Sequence, residues 1–157
     1  MEKQEIERKN NTFKLSEIMK NNPILQEYLN ASQEFYKLFN INLSETTYDS
    51  AEKLFSFEIK IPKTFQAYDG IIHGGTISAL LDINTGIPAL INASEKNKIA
   101  LTSELQIKML NKIKPDDQYM CSGQIIEIKD NLIKSVGFIK DRDGKIYAEG
   151  EATLIEK

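Results

Sequence analysis

The chain has one cysteine, Cys121, and one histidine, His73, among its 157 residues. A single cysteine excludes an internal disulfide, and with only one histidine to accompany it the ligands of a typical zinc site are missing. No metal and no cofactor are expected. No stretch approaches the roughly 18 consecutive apolar residues of a membrane-spanning helix. The opening MEKQEIERKN also lacks the apolar core of a signal peptide, so a cytoplasmic protein without a membrane span is expected. Basic residues are not in excess: 20 Lys and Arg against 23 Asp and Glu leave a net charge of -3. Phosphate backbones demand a concentrated basic face, so no nucleic-acid partner is expected. Internal repeats, low-complexity segments and Gly/Ser-rich linkers are all lacking. What remains is an ordinary globular composition, 41% hydrophobic and 27% charged, on a length suited to a single domain over residues 1–157.

Residues 1–11 are almost all charged or amide-bearing and read as a frayed end. Asn21 or Asn22 can cap a helix with Pro23 at its first position. Leu25, Tyr28, Leu29, Ser32, Phe35, Tyr36 and Phe39 then recur at helical spacing, which predicts a helix over 22–39 ending near Asn40. After a weaker strand around residues 41–48, Phe55, Phe57, Ile59 and Ile61 alternate with Ser56, Glu58 and Lys60, a half-buried strand ending at Pro62. Alternation returns in Leu101, Ser103, Leu105, Ile107 and Met109, and again in Ile146, Ala148, Gly150, Ala152 and Leu154. Two further strands lie between them, over 119–128 and 132–139. Lys129-Asp130-Asn131 and Asp141-Arg142-Asp143-Gly144 are short enough to close antiparallel hairpins, so these four strands are expected to form a meander.

From Thr76 to Asn92 the chain reads as a helix that is apolar on nearly every face, the mark of a buried helix. The antiparallel sheet is the only element large enough to wrap it, which predicts an α+β arrangement with the sheet curled over one central helix. Gly86 and Pro88 are expected to kink or break that helix after Asp82. A carboxylate at Asp82, among so many apolar neighbours, must meet a partner, emerge at an interface or titrate upward. Just upstream, Gly74 and Gly75 leave N–H groups at the positive end of the helix dipole with no side chain in front of them, a place for developing negative charge.

The run GIIHGGTISALLD (residues 70–82), with LTSELQIKML from residue 101 and the closing DRDGKIYAEGEATL, resembles the hotdog-fold thioesterases of the 4-hydroxybenzoyl-CoA thioesterase superfamily, particularly the phenylacetyl-CoA thioesterase type. The resemblance covers residues 38–155 and implies a hotdog core over 40–157 behind an additional N-terminal helix. It implies dimers that often pair into tetramers, with acyl-CoA thioesters hydrolysed to free acid and CoA at the subunit interface. Carried over by position, the Gly74 N–H would polarise the thioester carbonyl, and Asp82 would attack it or activate a water to do so. His73 would orient the site or contact substrate, Gly75 would contact substrate, and Thr102 would position the water or the carboxylate. Simple alternation puts Thr102 on the opposite side of its strand from Leu101 and Leu105.

The sequence departs from the family pattern at Ala67, where many members have an asparagine six residues before the histidine; Tyr68 offers a replacement hydroxyl or a packing ring. Asp116-Asp117 follows Pro115 where Gly-Asp is usual. Hotdog dehydratases differ in carrying a histidine downstream of the acid or a His-Phe-Pro motif. A non-catalytic acyl-CoA binding or sensing protein is the alternative to a hydrolase. Gly74 and Asp82 are eight positions apart, about 12 Å along one helix. One carbonyl cannot reach both, so each site is expected to combine Gly74 of one subunit with Asp82 of another.

Overall fold

A computed structural model describes residues 11–157; all but the last residue of the expected frayed end lies outside them. The described chain begins with β1 (Thr12–Lys14), a short strand the sequence reading did not contain, and α1 (Leu15–Met19). The predicted N-terminal helix then forms as two pieces, α2 (Pro23–Ala31) and α3 (Gln33–Leu38), parted at Ser32, whose backbone has left the helical region. Asn22 caps α2 by accepting from the Leu25 N–H at 3.1 Å, and its amide donates to Ser94 Oγ at 2.6 Å. One asparagine thus starts the helix and ties it to the far end of the central one. The weak strand expected around 41–48 shrinks to a 3-10 turn at Leu43–Glu45 and β2 (Thr47–Asp49).

β3 (Leu54–Lys60) buries Phe55, Phe57 and Ile59 and exposes Glu58 and Lys60, as its alternation requires. A two-stranded ribbon, β4 (Gln66–Tyr68) and β5 (Ile71–Ile72), leads into the central helix α4 (Gly74–Ser94). β6 (Ala100–Met109), β7 (Gln118–Lys129), β8 (Leu132–Lys140) and β9 (Ile146–Glu156) complete a seven-stranded antiparallel sheet in the order β1-β2-β3-β7-β8-β9-β6. The expected meander is therefore corrected. β7, β8 and β9 follow one another through the predicted turns, but β6 pairs with β9 at the sheet edge while β3 takes its place beside β7. Hairpin turns could be read locally; the crossover that separates β6 from β7 has no local signature. At the β6–β7 turn, Asp116 adopts φ +63°, the conformation that the usual glycine supplies without strain.

The expected break in α4 is also corrected: the helix starts at Gly74, two residues before the predicted Thr76, and continues through Gly86 and Pro88 to Ser94. Proline inside an exposed helix costs about 3 kcal/mol. Here Ile83, Ile87, Leu90 and Ile91 flank it, each at most 6% exposed, and burying each contributes roughly 1.5–3 kcal/mol. Burial wins. The Asn84 carbonyl, deprived of the Pro88 N–H, lies against Gly123, where a Cβ would collide with it. Gly123 pairs with Gly137 and Gly137 with Gly150, so a row of glycines crosses three neighbouring strands. A Cβ at Gly137 would press on Asn84 and Thr85 at 3.1 Å, and one at Gly150 on Leu81 at 3.3 Å. The sheet thereby lets the helix in to backbone contact halfway along its length.

Candidate active site

His73 follows β5 directly and is the N-cap of α4. Its Nδ1 accepts the Gly75 N–H at 3.0 Å, and its carbonyl takes the N–H groups of Thr76 and Ile77. The expected roles divide accordingly. His73 caps the helix, the Gly75 N–H is spent on that cap, and the Gly74 N–H, the first in the helix, has no acceptor among the described residues. Gly74 opens onto a groove of about 860 Å³ lined by Ala67, Ile77, Met109, Lys112, Lys114 and Tyr147. A side chain at Gly74 would approach the Met109 methyl to 3.3 Å, so glycine keeps the amide accessible. Ala67 thus faces the same groove as the free amide, as the family's asparagine would, with no donor to add. Tyr68 stands 80% exposed on β4 and neither packs nor lines this groove, so the ring's expected packing role is not realised within the chain.

Asp82 lies two turns further along α4. Thr102 Oγ1 donates to Asp82 Oδ1 at 2.9 Å, which brings together two of the residues singled out from the sequence. Strict alternation had put Thr102 on the wrong side of β6. A bulge between Thr102 and Glu104 inserts Ser103, so Thr102 pairs with buried Leu154 and Leu105 with buried Ala152. Both residues then face the helix.

The carboxylate and its threonine line a second cavity of about 250 Å³, separate from the groove at Gly74. Its far wall is built by Tyr28, Ser32, Phe35 and Tyr36 of the N-terminal helices. Burial, together with the nearby charge of Asp82, pushes the Tyr28 phenol above its usual pKa; burial does the same to Tyr36 with help from Tyr28, against a hydrogen bond to Ser32. Both remain neutral donors. These wall residues were read from sequence only as a helix face. The signal was present in the spacing of Tyr28, Ser32 and Tyr36, four residues apart, which sets two phenols and a hydroxyl on one stripe. Cys121 offers no nucleophile: it is fully buried against Asn84 and burial pushes its thiol up to about 12. Among the described residues no three acidic, histidine or cysteine side chains are placed to hold a metal ion, and no helix is long and apolar enough to cross a membrane.

An antiparallel sheet curled around one long helix, with a glycine turn at the helix start and a carboxylate two turns on, is the hotdog fold of thioesterases. The sequence matches the thioesterase superfamily over residues 69–148, and the chain belongs to that family. No curated protein sequence matches it significantly. Zebrafish thioesterase superfamily member 2 is similar in structure at TM-score 0.63 and 20% identity, over 80% of this chain and 94% of that one. A hypothetical thioesterase of Streptococcus pneumoniae TIGR4 with coenzyme A has TM-score 0.60 and 18% identity, over 66% and 81% of the two chains. A Streptococcus mutans UA159 protein bound to acetyl CoA has TM-score 0.61 and 17% identity, over 68% and 82%.

Proposed function

We propose that the protein hydrolyses acyl-CoA thioesters to free acid and CoA, in a site shared between two copies of the chain. The observation that carries this reading is the Asp82–Thr102 pair in a cavity of its own, with the free Gly74 amide in another. Thioester hydrolysis by the route proposed here uses both a carboxylate and an oxyanion donor. One continuous helix holds these two about 12 Å apart, too far for one carbonyl, so a second subunit must complete each site. The CoA and acetyl CoA held by two structural neighbours agree with the substrate class. The motif of the phenylacetyl-CoA thioesterase type supports the same reading, with Ala67 as its departure.

In the reaction, the carbonyl oxygen accepts the Gly74 N–H of one subunit, whose helix dipole favours the developing oxyanion. Asp82 of the other subunit, oriented by Thr102, takes a proton from water as the water oxygen bonds to the carbonyl carbon. Collapse of the intermediate breaks the C–S bond, and the CoA sulfur leaves and is protonated. Thiol release from a panel of acyl-CoA esters, without added metal or cofactor, tests the proposal. Turnover of at least one ester is expected, falling a hundredfold or more in Asp82→Ala. Saturable acyl-CoA binding with no thiol released would replace hydrolysis by binding or sensing.

A further inference from the structure

Gly86 follows Asp82 by one helical turn and lines the same 250 Å³ cavity. A glycine inside a helix costs about 1 kcal/mol relative to alanine, so its presence calls for a reason. Packing does not supply one. A Cβ at Gly74, Gly75, Gly137 or Gly150 would meet an atom within 3.3 Å, and at Gly123 it would collide, whereas at Gly86 it would meet nothing within 4 Å. Its backbone is not in the left-handed region either. What the missing side chain provides is empty space beside the carboxylate.

Across from Gly86 stand Phe35 and Tyr36 of α3 and Tyr28 of α2: Tyr36 is buried at 4% exposed, while Phe35 and Tyr28 remain 45% and 38% exposed. Ile83, Ile87, Leu90 and Leu154 supply apolar lining beside the polar groups of Ser32, Asp82 and Thr102. An apolar cavity of about 150 Å³ holds a benzene ring, and each water-sized unit takes about 30 Å³. At that scale the chamber holds one ring with a short linker, or a chain of about eight carbons.

We infer that this chamber receives the acyl group, that Gly86 and the N-terminal aromatic wall determine specificity by setting its depth, and that acyl groups beyond about eight carbons are excluded. The inference rests on the hydrolase reading and adds the substrate class. Acyl-CoA esters from two to sixteen carbons, with single-ring acyl groups alongside, are compared on wild type, Gly86→Leu and Phe35→Ala. Wild type is expected to lose at least tenfold in kcat/KM between octanoyl and palmitoyl esters. Gly86→Leu is expected to move the preference down by several carbons, and Phe35→Ala to reduce the discrimination against long chains about tenfold.

Equal use of octanoyl and palmitoyl esters by wild type, or unchanged chain-length profiles in both variants, overturns the inference while leaving the hydrolase reading intact. So does loss of the dimer in Gly86→Leu on size-exclusion chromatography, since the space would then belong to subunit packing. If no ester is hydrolysed, the functional reading fails and the chamber is tested alone by thermal shift with straight-chain carboxylic acids. Protection of wild type by octanoic acid that disappears in Gly86→Leu supports the chamber; no protection overturns it.

Discussion

Thr102 on the edge strand β6 and Asp82 on the central helix α4 are joined by a 2.9 Å hydrogen bond, with the threonine hydroxyl donating to Oδ1. The bond restricts the rotation of the carboxylate and, in the proposed mechanism, leaves Oδ2 for the reacting water. Thr102→Ala is expected to lower kcat roughly tenfold with little change in KM, because a hydrogen bond to a charged group contributes about 1.5–3 kcal/mol. Thr102→Ser, which keeps the hydroxyl, is expected to recover most of that loss. Equal activity in the alanine and serine variants would remove Thr102 from the site.

Subunit sharing can be tested by complementation between two inactive variants. Gly74→Pro removes the amide proton at a position that accepts proline: it opens the helix, lies outside the left-handed region, and follows His73 at ψ 136°. Asp82→Ala removes the carboxylate. Neither variant alone is expected to turn over, but heterodimers formed by co-refolding should regain one intact site, with activity proportional to their fraction. Verified heterodimers as inactive as their parents would sink the shared-site mechanism.

The approach of helix to sheet predicts a large stability effect at the glycine row, on residues outside the proposed catalytic set. Gly123→Ala puts a methyl group into the Asn84 backbone, which has nowhere to retreat between the sheet and the rest of the core. A loss of about 3 kcal/mol or more is expected in urea unfolding, at the upper end of overpacking costs. Gly86→Ala, on the same helix but facing open space, is expected to be neutral or to stabilise by up to about 1 kcal/mol.

Glu156, near the C-terminus, is buried and accepts from Lys96 and Lys98, each ion pair at 3.2 Å. Burial alone would raise its pKa, but the hydrogen bonds and charges of Lys98 and Lys96 outweigh it and hold the carboxyl below its ordinary value near 4.5. A lowered folded-state value means that the contact stabilises fully above the unfolded value and is lost as pH falls through the folded one. Glu156→Gln is thus expected to cost about 1–3 kcal/mol at pH 7, and the gap to wild type should close as the pH is taken down to 3. A gap in Tm that stays constant over that range would contradict the assignment.

Several of these features were legible in the chain itself. The period-two runs placed β3, β6 and β9, and β7 and β8 were read in the segments between the last two. The apolar helix announced its own burial, and the lone charge of Asp82 within it stood out as the candidate for chemistry. Resemblance of the run from Gly70 to Asp82 led to the thioesterase superfamily, which the family match then showed. These signals are local: alternation, helical spacing and a charge out of place depend on residues only a few positions apart.

Other features depend on segments distant in sequence, and only the folded chain decided them. Pro88 reads as a helix breaker until the burial of its neighbours outweighs the missing hydrogen bond. Thr102 reads as facing away until the bulge at Ser103 turns it to Asp82. Tyr28 and Tyr36 read as an ordinary apolar face until α2 and α3 fold over the carboxylate. Glycines 123 and 137 carry no motif and Gly150 entered only within the closing run, yet their register across three strands sets how closely the helix approaches. The sequence by itself determined the buried central helix, the five long strands and which carboxylate stands alone. The tertiary structure decided what surrounds that carboxylate, because packing energies and strand register belong to contacts between segments rather than to any segment alone.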